Sequence, residues 1–299
     1  MKIGIDIGGS HIAVGLVNNE GKIIEKIEQN IQKQENMQEY VVKFVDKAIE
    51  KISQNADIES IGIAAPGNAN GTIITNLVNL GIEKIDFKIL EEKYNVKIQR
   101  INDGKAAALA EKQYGAMKDY NDGVFLCLGT GIGGAVFFNN KLLQANKNPG
   151  FELGHMIIDK NGIECNCGKK GCFETYCSMK RLKNNLEKAI KEILPNEKIN
   201  DAIELKELVY DNKENVKIKE ILDEYIDNLI IGLSNIIDIF EPEVIVLGGS
   251  FVYFKDILYN ELVIKMEQRK YVFNKGNLPK IVLAKLQNDA GIIGATLID

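Results

Sequence analysis

Nowhere in the 299 residues does an uninterrupted apolar run approach the ~18 that a membrane-spanning helix needs. Met1-Lys2-Ile3-Gly4-Ile5-Asp6 puts a carboxylate where a signal peptide would be apolar, and the expectation is a cytoplasmic protein without a leader. Positive charge is not in excess, with 37 Lys and Arg against 42 Asp and Glu and a net charge of −5, so no overall field draws the chain to nucleic acid or to anionic lipid. The cysteine count is odd, which disfavours a disulfide framework. There are five cysteines, and four of them, Cys165, Cys167, Cys172 and Cys177, crowd into thirteen residues, a pattern that points to metal. No low-complexity linker is present, and 45% hydrophobic with 26% charged residues is an ordinary globular composition. At about 150 residues per domain the length predicts two domains with room for sizeable cores.

The chain opens on a short β-rich run, Ile3 to Asp6, then Gly8-Gly9-Ser10, a second run Ile12 to Val17, the turn Asn18-Asn19-Glu20-Gly21, and a third run from Lys22 to Ile27, which predicts a three-stranded meander. Apolar residues at helical spacing from about Asn36 to Ser53 predict a helix, and Ser60 to Ala65 a strand ended by Pro66-Gly67. Val96 to Ile101 reads as a strand leading through Asn102-Asp103-Gly104 into an alanine-rich helix. The opening pattern recurs at Val124: a run to Leu128, Gly129-Thr130-Gly131-Ile132-Gly133-Gly134, a run to Phe138, Asn139-Asn140, then Leu142-Leu143. A separation of about 120 residues between the copies predicts a duplicated α/β domain with a cleft between the halves. Met179 to Phe240 is helix-rich and broken at Pro195; Val244 to Leu247 is a strand meeting Gly248-Gly249-Ser250; Lys280 to Leu286 is a late strand. A final helix from Asp289 through Ile298 is expected to return to the first domain, giving boundaries of 1–117 plus 288–299 and 118–287.

Gly129, Gly131 and Gly134 satisfy G-x-G-x-x-G, but Ala135 to Phe138 is β-like where a dinucleotide fold needs a helix, which argues against NAD. The two glycine turns, Gly8-Gly9-Ser10 and Gly129-Thr130-Gly131, can offer backbone N–H groups to phosphate, or be plain tight hairpins. Asp6, at the end of the first strand, suits Mg²⁺ held through water. Asp103 reads as an N-cap, as a base for a substrate hydroxyl, or as both, and a carboxylate there is expected to stay ionised. Asn102 is a turn residue or a partner for a hydroxyl. His155 with Cys165, Cys167 and Cys172 supplies one imidazole and three thiolates, the donor set of a closed structural zinc site that organises its surroundings and does not activate water. Glu152 and Glu174 flank that knot, either as solvated surface glutamates or as acceptors for the hydroxyls of a ligand.

Six motifs in order, Asp6-Ile7-Gly8-Gly9-Ser10, Asn102-Asp103-Gly104-Lys105-Ala106-Ala107-Ala108, Leu128 to Gly134, Gly150-Phe151-Glu152-Leu153-Gly154-His155, the cysteine knot and Val246-Leu247-Gly248-Gly249, give a sequence that resembles the ROK sugar kinases (repressor, open reading frame, kinase) over essentially its whole length. The resemblance implies the actin-like ATPase (ribonuclease H-like) fold, ATP with Mg²⁺ as phosphoryl donor, a hexose phosphorylated on its C6 hydroxyl, and a homodimer. It makes Asp103 the catalytic base and sets Asn102, Glu152, His155 and Glu174 on sugar hydroxyls, with Asn79 and Gly67 as weaker pocket candidates. Asp6 falls near Mg²⁺, Gly8, Gly9, Ser10, Thr130 and Gly131 along the phosphates, and Gly248 and Gly249 on the adenosine side. Two departures stand out: Ser10-His11 where many members read Thr-Lys, and Gly104-Lys105 where Ala-Asn is commoner. Glucose is the first expectation for the sugar, with N-acetylmannosamine and N-acetylglucosamine as alternatives. A DNA-binding regulator is disfavoured because the first strand begins at residue 3 and no basic patch is evident; a noncatalytic sugar sensor is the remaining rival.

Overall fold

The computed structural model describes residues 1–9, 11–32, 34–54, 56–77, 80–144, 151–269 and 278–298. The chain divides into two compact units, one formed by Met1–Lys118 and Lys285–Asp299, the other by Asp119–Asn146 and Gly150–Ala284.

The first unit runs β1 (Lys2–Ile7), β2 (His11–Val17), β3 (Ile23–Asn30), α1 (Met37–Ile52), β4 (Ser60–Ala64), β5 (Asn68–Asn70), β6 (Ile73–Leu77), β7 (Ile82–Asp86), α2 (Lys88–Tyr94), β8 (Ile98–Ile101) and α3 (Asp103–Tyr114). Its main sheet has the order β3-β2-β1-β4-β8: β1 pairs antiparallel with β2, Ile5 opposite Val14, and parallel with β4, Ile5 opposite Ile63. Successive side chains of a strand point to opposite faces. Ile3, Ile5 and Ile7 therefore share one face and join a core with Val45 and Ile49 of α1, while Gly4 and Asp6 take the other. α1 is an amphipathic helix whose start is fixed by Asn36, the side chain of which accepts from the Glu39 amide at 3.1 Å. A separate three-stranded antiparallel sheet, β5-β6-β7, was not read from the sequence.

The second unit repeats the plan. It runs β9 (Gly123–Leu128), β10 (Ile132–Phe138), β11 (Lys141–Leu142), α4 (Phe173–Cys177), α5 (Met179–Ile193), α6 (Ala202–Asp211), α7 (Val216–Phe240), β12 (Val244–Gly248), α8 (Lys255–Gln268) and β13 (Lys280–Leu283). The sheet order is β11-β10-β9-β12-β13, again an antiparallel meander followed by parallel strands. Asn139 and Asn140 both take left-handed φ, +50° and +62°, the conformation a tight hairpin between twisted strands demands. Leu126, Leu128, Ile245 and Leu247 pack with Leu233 and Ile236 of the long helix α7.

The last helix, α9 (Ala290–Ala295), lies in the first unit and is shorter than its sequence predicts, a 3-10 turn at Gln287–Asp289 taking its place at the start. A Cβ on Gly62 would lie 1.7 Å from the carbonyl oxygen of Ala295, and one on Gly294 at 1.7 Å from that of Ala106, so α9 meets β4 and α3 backbone to backbone. No helix among the described residues is long and apolar enough to cross a membrane.

Glu111 of α3 is fully buried, and its carboxylate accepts three backbone amides: Ala116 at 2.7 Å, Lys285 at 2.8 Å and Leu286 at 2.7 Å. It thereby ties the helix that begins at Asp103 to the segment that brings the chain back into the first unit. Each orphaned buried donor costs about 1–3 kcal/mol. Glu111→Ala is expected to lose at least about 3 kcal/mol of unfolding free energy in urea denaturation, on that per-donor cost, with Glu111→Gln falling between it and the wild type.

Candidate active site

In the first unit, α3 starts at Asp103, and the residue that caps it is Asn102: its side-chain oxygen accepts from the Lys105 amide at 3.2 Å. Asp103 is thus the first helical residue and not the N-cap the sequence allowed. Its carboxylate accepts the Gly104 amide at 2.8 Å. Solvent reaches the side chain, yet protein surrounds it on most sides, and desolvation pushes its carboxyl above the ordinary range against hydrogen bonds from Gly104 and Asn102 that pull it down. The expectation from the helix dipole alone had the opposite direction; burial outweighs it.

Asp6 lies on β1 beneath Gly291 of α9, where an added Cβ would sit 2.3 Å from Oδ2. Desolvation first, and then the like charge of Asp103, push its carboxyl up to about 7. A poorly solvated carboxylate with a second carboxylate close enough to disfavour its ionisation suits a divalent cation, which removes that penalty. The first glycine turn is closed by the Gly8 amide donating to the His11 carbonyl at 2.9 Å, and the His11 ring stands 3.1 Å from where a Gly8 Cβ would be. Gly9 follows in that turn; Ser10 and Asn79 lie outside the described residues. Gly67 has φ +93°, and a Cβ there would come within 2.3 Å of the Thr75 carbonyl of β6, so it serves the turn between β4 and β5.

In the second unit the Gly129 amide donates to the Gly131 carbonyl at 2.9 Å, and the carbonyl of Gly129 accepts from the Lys180 amide of α5 at 3.1 Å. Neither glycine has positive φ, so backbone conformation is not what calls for glycine at either position. The reason is space. No atom lies within 4 Å of a Gly129 Cβ, leaving its backbone open to approach, whereas a Cβ on Gly131 would strike Glu174 Oε2 at 2.2 Å. Beside the turn is a cavity of ≈ 440 Å³ lined by Thr130, Lys180, Lys183, Asn184, Asp201 and Ser250 among others. That is the size of a small-molecule pocket. Gly249, with φ +69° and Leu128 backbone 2.6 Å from its would-be Cβ, makes the turn out of β12 that presents Ser250, while Gly248 leaves room for the Phe125 ring. The α5 and α6 residues of this wall were missed, because Lys180, Lys183 and Asn184 read as the solvated face of an amphipathic helix.

His155, Cys165, Cys167 and Cys172 come together with their ligand atoms all within 4.8 Å of one another. Cys167 Sγ lies 3.6 Å from Cys172 Sγ, and Cys165 Sγ 3.6 Å from His155 Nδ1. A tetrahedron with ~2.3 Å metal–sulfur bonds has edges of about 3.8 Å, so the donors already stand at the spacing of a Cys₃His zinc site. Burial pushes the Cys172 thiol up to about 12, which only a bound cation would overcome at neutral pH. Cys177 is buried apart from the cluster, as a packing residue. Glu152 is exposed, just after Phe151, whose left-handed φ of +55° turns the chain into the 3-10 segment ending at His155. Glu174 is partly buried: Oε2 accepts the Ile132 amide at 3.0 Å, and Oε1 is 3.9 Å from His155 Nδ1.

A family model described as the ROK family matches residues 2–298. The chain belongs to the ROK family. A glucokinase of Thermotoga maritima is 30% identical to it over 99% of this chain and 96% of its own length. A xylose repressor of Bacillus spizizenii is likewise 30% identical over 99% of this chain, which spans 76% of that protein. A ROK glucokinase from Streptomyces griseus, solved with glucose and AMPPNP, superposes with a TM-score of 0.76 at 25% identity, covering 99% of this chain and 97% of that one. The repeated sheet of this ROK protein, a meander plus two parallel strands in each unit, is the actin-like ATPase fold.

Two outcomes follow from this geometry. Because the Asp6 carboxyl is raised from an ordinary 3.8 to about 7, the folded chain holds a proton that the unfolded chain releases between those values. Asp6 therefore costs nothing below pH ~4 and an increasing amount as pH rises through about 7, at roughly 1.4 kcal/mol per pK unit. In chelator, Asp6→Asn is expected to melt higher than wild type at pH 8 and level with it at pH 4. For the cysteine knot, elemental analysis of the purified chain should give about one zinc per chain, and Cys167→Ser should lose it.

Proposed function

We propose that this ROK protein is an ATP-dependent hexose kinase acting on the C6 hydroxyl, with glucose as the favoured sugar. The observation that carries the reading is Asp103: a carboxylate held at the first turn of a helix, reached by solvent, yet so poorly solvated that its affinity for a proton is raised. Such a group accepts a hydroxyl proton better than an ordinary aspartate does. Support comes from the likeness to a glucokinase bound to glucose and a nucleotide analogue.

In this reading Asn102, Glu152, His155 and Glu174 hold sugar hydroxyls. With His155 Nδ1 turned to the cysteines, Nε2 is the nitrogen assigned to the sugar, and zinc on Nδ1 would fix the tautomer. The cavity beside Thr130 takes the adenosine, with Lys180 and Lys183 supplying positive charge near the phosphates. The open backbone at Gly129 and the turn at Gly8 and Gly9 offer amides to the phosphate oxygens. Mg²⁺ beside Asp6 would neutralise charge on those oxygens. Asp103 receives the C6 proton as the phosphoryl group passes to that oxygen, and because phosphoryl transfer depends mostly on alignment, the proton moves late.

Asp103→Ala is expected to lower kcat for ADP release at least ~100-fold, on the usual worth of a positioned base, with the sugar KM little changed. Near-normal turnover would remove Asp103 from the role. A panel of glucose, mannose, N-acetylmannosamine and N-acetylglucosamine assigns the sugar. The repressor likeness favours a second reading, a sugar-responsive protein without catalysis. Hexose binding with no ADP release from any sugar in the panel would be its signature.

A further inference from the structure

The glycine turn of the second unit is held at both ends by groups that grow out of the metal knot. At one end Glu174 Oε2 accepts the Ile132 amide at 3.0 Å, and the absence of a Cβ on Gly131 is what lets that carboxylate in. At the other the Lys180 amide donates to the Gly129 carbonyl at 3.1 Å. Glu174 is two residues beyond the ligand Cys172, on α4, and its other oxygen lies 3.7 Å from Cys165 Sγ and 3.9 Å from His155 Nδ1. Lys180 follows in the first turn of α5, which Ser178 joins directly to α4 by accepting the Arg181 amide. α4 itself has little freedom: Phe173 is fully buried against Gly232 of α7, its amide donates to the Met156 carbonyl at 2.7 Å, and Thr175 Oγ1 donates to the Cys172 carbonyl at 2.7 Å. The same turn and the same helix α5 supply Thr130, Lys180 and Lys183 to the cavity.

We infer that metal occupancy of the His155, Cys165, Cys167 and Cys172 cluster and nucleotide binding in the cavity at Thr130 are thermodynamically coupled, with Glu174 as the positioning residue between them. A metal fixes Cys172 and His155 relative to one another. That fixes the start of α4 and the carboxylate it carries, and hence the turn that must meet the phosphates. Without the metal the four donors are no longer tied together, and the turn is ordered only at the expense of nucleotide affinity. The coupling is reciprocal: bound nucleotide must raise the equilibrium affinity for the metal by the same factor. This rests on the cavity being the nucleotide site, so its test includes a reading that needs no nucleotide.

ADP affinity measured by calorimetry on the metal-loaded chain and on the chelator-dialysed chain should differ by about tenfold, within the usual range of allosteric coupling. Glu174→Ala should retain about one metal per chain, bind ADP as weakly as the metal-free wild type, and show no further loss on chelation. Glu174→Gln, which keeps an acceptor for the Ile132 amide, should recover most of the affinity and its metal dependence. Independently, hydrogen exchange at the Ile132 amide should speed up in metal-free wild type and in metal-loaded Glu174→Ala. Equal exchange at Ile132 in all three states overturns the inference, as does a Glu174→Ala variant whose ADP affinity responds to chelation like the wild type. If the loaded wild type binds no ADP, the kinase reading fails, and exchange at Ile132 still decides whether the metal holds the turn.

Discussion

The part of the first unit that carries Asp6 and Asp103 depends on a backbone approach with no side chain between the partners. α9 crosses β1, β4 and α3 at Gly4, Gly62 and Gly294, where a Cβ would fall 2.0, 1.7 and 1.7 Å from carbonyl oxygens of the opposing chain. A methyl at any of these would drive the helix off the sheet. Because α9 lies so close, its own Gly291 covers Asp6 and removes water from it, while its contact with Ala106 sets the position of the helix that starts at Asp103. The raised proton affinity of Asp6 follows from that packing, and desolvation raises that of Asp103 as well. Glu111, further along α3, secures the same arrangement by binding the segment that leads into α9.

Much of this was legible in the sequence where local chemistry decides the outcome. Strands β1, β2, β9, β10 and β12 are apolar runs ended by turn residues, and the Asn139-Asn140 and Gly8-Gly9 punctuation marks the hairpins. The cysteine knot was legible because three thiols and an imidazole in polar, glycine-rich sequence have no packing role, and the structure brings those four together. What escaped notice has a common cause. The cavity wall on α5 and α6 consists of polar side chains that look like a solvated helix face until another element stands opposite. The sheet β5-β6-β7 is built from short strands without the long apolar runs that mark the main sheets.

Asp103 shows the limit of reasoning from one term. The sequence supplies the dipole of a helix N-terminus, which favours the ionised form. The burial that raises its proton affinity comes from elements distant in the chain, and only the fold assembles them. The glycine turn at Gly129 makes the same point about backbone: its glycines answer to neighbours and not to φ, since Gly131 yields space to Glu174 of α4, far along the chain.

Duplication produced two sheets of one order, but the units then diverged in what they add to the shared turn. In the first, the turn is closed on itself by Gly8 and His11, and the charge nearby is carboxylate, on Asp6 and Asp103. In the second, the equivalent turn is tied outward, to α4 and α5, and the neighbouring charge includes Lys180 and Lys183. The two copies thus differ in what surrounds the turn: the first has two carboxyls of raised proton affinity, and the second a cavity with positive charge and a sulfur-rich knot. Members of one family can then keep a ligand-binding scaffold while differing in chemistry, as the equal 30% likeness to a glucokinase and to a xylose repressor illustrates. At the ends of β1, β8 and β9 this chain carries Asp6, Asn102, Asp103 and Gly129, the last with no atom within 4 Å of a would-be Cβ.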